Sequence, residues 1–331
     1  MKKLLCYSII YTFFVILVVP FAITGMSGNI LPKTVDNNVT DAKEDAEYET
    51  KYKVDLIKAL NPETNEIIED AFEDYIKGVL GAEMPASFEP EALKAQAVAA
   101  RTYAYKKIKD SQVSNDISEL NNIGQAYESV DELKNKWGAN FDKYYDKISD
   151  AVNDTYGEIM VYNDEPILAV FHSTSNGKTE DAKNVWGSDV EYLKSVDSSF
   201  DINAPGYEES RRIPAATVMG KLQEYDKTLI LTQTRLLDQM QIVERSSSGY
   251  ILKIQVGNKY FTGRQIREIL GLKSSCFSIS QDGDDIIFTT KGYGHGAGMS
   301  QYGANFMAKD GYTYDKILEH YYQNIKITKM N

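Results

Sequence analysis

A run of twenty-three residues, Leu4 to Met26, carries no charge and is mostly apolar. At helical rise that length spans a bilayer with some tilt, so the run fixes the layout of the chain. Lys2 and Lys3 precede it, and Asp36, Asp41, Glu44, Asp45, Glu47 and Glu49 follow it. The positive-inside rule then leaves the N-terminus in the cytoplasm and everything after residue 26 outside. A cleaved signal peptide is the competing reading. Its apolar region is usually shorter, however, and no clean small-x-small site ends this run. The expected layout is a signal-anchor helix over 1–26, a flexible polar stalk over 27–50 and an extracytoplasmic region over 51–331. The protein is thus expected in the cell membrane, crossing it once.

The formal net charge of -12 argues against a nucleic-acid surface, which needs a basic patch. There are two cysteines and three histidines. Cys6 lies in the apolar run, so no disulfide framework and no four-ligand zinc site can be built.

Apolar residues Phe72, Ile76, Val79 and Leu80 fall at helical spacing, and Pro85 ends that helix. A second helix is expected from Pro90 to Lys107, with six alanines and a buried stripe of Leu93, Ala97, Ala100 and Ala104. The stretch 111–155 reads as loop and helix. Glu158–Tyr162 and Pro166–Phe171 read as strands around Asn163-Asp164. A helix is expected over 215–225. From Asp238 to Lys291 short strands alternate with turn signals, interrupted by a helix over Gly263–Leu270. Two further helices follow the glycine-rich loop Gly292–Gly298. There is no βαβ rhythm, so the expected class is α+β, with helices packed on mixed and antiparallel strands in two lobes. One lobe would hold about 60–200 and 290–325 with the site, the other about 201–290.

Glu83 projects from the apolar stripe in the last turn of its helix. Burial and the negative end of the helix dipole both disfavour its carboxylate, so its pKa is expected to be raised. A carboxylic acid kept neutral near pH 7 can protonate a leaving-group oxygen. The bland alternative is a helix-end glutamate that turns to solvent. Lys94, Val98, Arg101 and Tyr105 form a stripe beside the buried one. Its two cations could hold an anionic or hydroxyl-rich ligand, or simply be solvated. The loop from Phe171 to Asp181 gathers His172, Ser173 and Thr174, with His172 open to a structural role. The loop Gly292–Gly298 has four glycines in seven residues, which let backbone approach a ligand, and feeds a helix carrying Gln301 and Tyr302. It lacks the Lys-Ser/Thr of a phosphate loop.

Together these segments are specific. Gly81-Ala82-Glu83-Met84-Pro85-Ala86-Ser87-Phe88 comes first, then Glu91-Ala92-Leu93-Lys94-Ala95-Gln96-Ala97-Val98-Ala99-Ala100-Arg101-Thr102-Tyr103. The His172 and Gly292 segments follow in that order. The chain resembles the stage II sporulation protein D family over roughly 60–325. The resemblance implies a membrane-anchored lytic transglycosylase of endospore engulfment. It would act on peptidoglycan strands whose stem peptides are gone, with Glu83 as its catalytic acid. Lys94, Arg101, His172, Ser173, Thr174, His295, Gln301 and Tyr302 are the expected substrate contacts. The implied partners are a cell-wall amidase and a multispan membrane protein, on the intermembrane side of the septum. A related branch consists of amidase enhancers, which leaves a non-catalytic binding module as the alternative. Some relatives hold zinc near the strand-end histidine with a Cys and further His. Here that segment offers only His172 before Lys178 and Lys183, so neither metal nor other cofactor is expected.

Overall fold

The computed structural model describes residues 56–60, 67–114 and 124–330. The expected membrane helix and stalk lie outside them. Among the described residues, no helix is long and apolar enough to cross a membrane. The architecture is α+β, as read from the sequence, and its contacts divide the chain into two compact units.

The first unit runs to Leu168 and takes back the chain from Ile325 onward. Strands β1 (Leu56–Leu60) and β2 (Ile67–Ala71) pair antiparallel and lead into helix α1 (Phe72–Glu83). Phe72, Tyr75, Ile76, Val79 and Leu80 are buried on one face of α1. Met84 then turns extended, at φ -129° and ψ 140°, the conformation a following proline imposes. Helix α2 (Pro90–Ser114) is longer than expected, with 25 residues. It is buried almost all round from Ala92 to Tyr105, apart from the half-buried Lys94. Its alanines let neighbours close in on every side, so the expected exposed stripe through Val98, Arg101 and Tyr105 does not exist.

Helices α3 (Val130–Trp137) and α4 (Phe141–Asp154) fill the stretch expected as loop and helix. A capping box starts α3: Ser129 accepts from the Glu132 N–H, and the Glu132 side chain reaches back to the Ser129 N–H. Strands β3 (Glu158–Tyr162) and β4 (Glu165–Pro166) form the expected hairpin, but β4 stops at Pro166. Asn163 and Asp164 take φ of 51° and 62°, as a type I′ turn requires. The C-terminal strand Lys326–Lys329 pairs on the other side of β3.

The second unit is Ala169–Asn324. Residues 169–200 and 290–324 lie in this unit together with the strand-rich stretch. The cause is long-range pairing. Strand β5 (Phe171–His172) runs parallel to Met299–Ser300, and the Glu180 carboxylate accepts from the Ser246 hydroxyl. The short helix α5 (Ala182–Trp186) follows. Strand β6 (Glu208–Pro214), helix α6 (Ala215–Tyr225), β7 (Met240–Arg245), β8 (Ile251–Val256), β9 (Lys259–Phe261) and helix α7 (Gly263–Leu270) come next. Then come β10 (Phe277–Asp282), β11 (Asp285–Lys291), β12 (Met299–Ser300), α8 (Gln301–Lys309) and α9 (Tyr314–Tyr321). Two three-stranded antiparallel sheets, ordered β10-β11-β6 and β7-β8-β9, enclose a core that includes Val218, Leu222, Ile254, Ile266, Phe277 and Phe288. Their turns fall at the predicted signals Ser246–Gly249, Gly257-Asn258 and Asp282–Asp284.

Candidate active site

Glu83 ends α1 half-buried, and its Oε1 accepts from the Ala126 N–H at 2.8 Å. The segment bearing Ala126 lies close to α1. A Cβ added at Gly78 would sit 2.4 Å from the Tyr127 ring, so only glycine allows this approach. Two buried phenols stand near Glu83. Tyr75 and Tyr103 are pushed far above the usual tyrosine range, by burial first and then by the Glu83 charge. Both therefore keep their protons near that carboxyl.

Glu83 opens on a groove of about 420 Å³. The turn Gly81–Ser87 forms one wall, and Lys136, Trp137 and Tyr144 form the other. Trp137 meets Tyr144 edge-on, with centroids 5.8 Å apart, and the Phe141 ring at 6.2 Å. Lys136 donates to the Gly81 carbonyl at 3.0 Å and to Glu128 at 2.9 Å. An acid, a cation and an aromatic wall thus face one space. The sequence pointed to Glu83 but not to the aromatic wall opposite it. One of only two tryptophans in the chain, just after a capping-box helix start, was the available signal.

Arg101 does not line the Glu83 groove. It is fully buried, and its Nε and Nη2 bind the Glu73 carboxylate at 2.9 and 2.7 Å. Its Nη1 donates to the Glu158 carbonyl at 3.2 Å, and Nη2 to that of Val152 at 3.3 Å. The guanidinium therefore braces α1, α2, α4 and β3. Lys94 pairs with Glu91 at 3.1 Å and Asp154 at 3.0 Å and does not line the Glu83 groove.

The other expected contacts come together in the second unit. His172 is buried, with Nδ1 3.1 Å from the Ala297 carbonyl and Nε2 without a partner among the described residues. Burial, then Arg267, lowers its pKa to about 4. The His295 ring is 5.6 Å from that of His172 and 5.0 Å from that of Trp186. Burial first, and then His172 and Arg267, holds it well below the ordinary histidine value. Its Nδ1 accepts from the Ala297 N–H at 3.1 Å. Thr174 and Tyr293 exchange backbone hydrogen bonds of 3.0 and 2.7 Å. The hydroxyls of Ser173 and Thr174 lie 3.3 Å apart, and the Tyr302 N–H donates to the Ser173 carbonyl at 3.1 Å. Gln301 is buried beside Tyr302 at the start of α8.

The glycine loop approaches its own chain closely. A Cβ at Gly298 would fall 2.0 Å from the Val170 carbonyl oxygen, and one at Gly294 would fall 2.7 Å from the His172 Cβ. These glycines let the loop lie against the His172 segment itself. Trp186 and Arg267, near the histidines, were not singled out from sequence.

Residues 61–162, which contain the Glu83 groove, match the family model described as stage II sporulation protein. Residues 131–298 match a domain of unknown function, DUF8618. The chain is 42% identical over 262 residues to stage II sporulation protein D of Bacillus subtilis, covering 78% of this chain and 74% of that one. The counterpart from Bacillus amyloliquefaciens is 40% identical over 78% of this chain and 74% of its own length. The amidase enhancer of Bacillus subtilis is 28% identical over 76% of this chain and 40% of that protein. The chain belongs to the stage II sporulation protein D family, whose members act in sporulation.

Proposed function

We propose that this protein is a peptidoglycan lytic transglycosylase acting on the cell wall during sporulation, with Glu83 as its acid and base. The observation that carries the reading is the half-buried Glu83 carboxyl in a groove of about 420 Å³ walled by Trp137 and Tyr144. Its volume falls within the roughly 300–1,000 Å³ typical of ligand sites. Aromatic side chains combine a large apolar contact surface with defined geometry, which suits the faces of sugar rings. Water displaced by a bound strand no longer solvates the carboxyl, and desolvation favours the protonated form needed at the start.

Glu83 then protonates the oxygen joining N-acetylmuramic acid to N-acetylglucosamine. The bond from the muramyl C1 to that oxygen breaks, and the glucosamine end leaves with the proton. The muramyl C6 hydroxyl bonds to C1 and returns its own proton to Glu83, leaving a 1,6-anhydro end. The attack is intramolecular, so one carboxyl suffices where ordinary glycoside hydrolysis calls for two. The Leu4–Met26 run would tether this chemistry to the outer face of the membrane.

The similarity to an amidase enhancer favours a second reading, a wall-binding module that stimulates an amidase without cutting glycan. Glu83→Gln separates the two, because it keeps the shape and removes the acid. With denuded strands as substrate, mass spectrometry should show anhydro ends, one water lighter than hydrolytic products, from the unmodified protein and none from the variant. Amidase stimulation that survives Glu83→Gln, with no anhydro ends from either protein, supports the module instead.

A further inference from the structure

Helix α7 places two arginines one turn apart on the wall of a small cavity in the second unit, about 70 Å³ in volume. Arg267 is only 5% exposed. Its Nε donates to the Lys273 carbonyl at 3.1 Å, and among the described residues its two terminal nitrogens make no hydrogen bond and no ion pair. Those nitrogens form the planar fork that grips a carboxylate. A nearly buried guanidinium whose fork is unfilled gains by taking an anion, and the neighbouring Glu268 offsets only part of its charge.

The surroundings agree. Arg264 lines the same cavity, with Nε on Glu268 at 2.8 Å and Nη1 on the Val185 carbonyl at 3.2 Å. The electropositive character extends to the histidines: Arg267 and Arg264 add to the burial that keeps His295 neutral. Glu180 also lines the cavity, but its carboxylate is occupied. One oxygen accepts from the Asp181 N–H at 2.8 Å and Asn184 at 2.9 Å, and the other accepts from the Ser246 hydroxyl. Glu180 and Glu268 keep the net positive charge small, which favours a singly charged ligand over a phosphate dianion. The volume restricts the ligand to a small group.

We propose that this cavity binds a small carboxylate, held by the Arg267 fork with Arg264 beside it. Wall polymers offer two sources of such a group, the lactyl arm of a muramyl sugar and the end of a stem peptide. The proposal is independent of chemistry at Glu83, because its readout is binding alone.

The test titrates the full chain, labelled with ¹⁵N at arginine, with D-lactate, N-acetylmuramic acid, D-alanyl-D-alanine, inorganic phosphate and sodium chloride. The Arg267 Nε–H resonance should shift saturably with D-lactate and not with chloride at equal ionic strength. Tighter binding of N-acetylmuramic acid points to the sugar arm, and tighter binding of the dipeptide points to the peptide end. Arg267→Lys keeps the charge but loses the fork, and should weaken D-lactate binding about tenfold or more. If that variant fails to fold, the titration of the unmodified protein decides by itself. No saturable shift with any of the three carboxylates overturns the proposal, as does phosphate binding more tightly than D-lactate.

Discussion

Replacing Arg101 with methionine should destabilise the first unit without altering its recognition of glycan. The side chain is fully enclosed, and the exposure of its Glu73 partner is 15%. Methionine keeps most of the apolar stem and removes the charge. Glu73 is then left with the Gly157 N–H at 3.2 Å, and the carbonyls of Glu158 and Val152 each lose a charged donor. Breaking a buried ion pair from one side costs about 3–5 kcal/mol, because the surviving charge stays desolvated. The double variant Arg101→Met, Glu73→Leu should recover much of that loss, since no uncompensated charge remains. Urea unfolding followed by tryptophan fluorescence measures both, Trp137 reporting on this unit. Product assays at a temperature where the variant stays folded should give an unchanged KM on denuded strands. A loss below about 1 kcal/mol, or a raised KM with stability intact, refutes the bracing role and returns Arg101 to the substrate.

Trp137→Ala should weaken binding of denuded glycan about tenfold, read by co-sedimentation with purified strands, through loss of the aromatic wall. Gly298→Ala places a methyl group 2.0 Å from the Val170 carbonyl oxygen at a φ of 71°, and should cost more than about 2 kcal/mol by denaturant unfolding. His172, with its folded pKa near 4 against an ordinary 6.5, binds fewer protons folded than unfolded in that interval. Its contribution is complete above pH 6.5 and is lost as pH falls toward 4, with a slope of at most about 1.4 kcal/mol per pH unit. The same unfolding series on His172→Gln should lose that slope.

Much of the fold could be read locally. The period of Phe72, Ile76 and Val79, the stop at Pro85 and the Asn163-Asp164 turn are each written within a few residues of the structure they produce. So are the strands between Asp238 and Lys291 and the helix at Gly263. The Ser129–Glu132 capping box was equally local and went unused. The features that could not be read locally share one cause. Arg101 lies on an alanine-rich helix covered on every side, and its counter-charge Glu73 sits 28 residues earlier, which no helical period can show. The Gly292–Gly298 loop resembles a ligand cradle because glycine marks close approach without saying to what, and here the neighbour is Val170 and His172. Of the candidate site, the position of Glu83 in the last turn of α1 was legible. The opposing Trp137 and Tyr144 face it only because α3 and α4 fold back on α1.

The parallel contact between Phe171–His172 and Met299–Ser300 also sets an order of events in synthesis. His172 and its Ala297 partner are separated by 125 positions, so the imidazole stays hydrated while most of the second unit is translated. Loop closure over that span is a late and entropically expensive step. A polypeptide interrupted before Gly292 holds every residue that lines the Glu83 groove, but it lacks the Lys326–Lys329 strand on β3 and cannot seat His172 against Ala297, so ribosomal stalling there would leave both units incomplete.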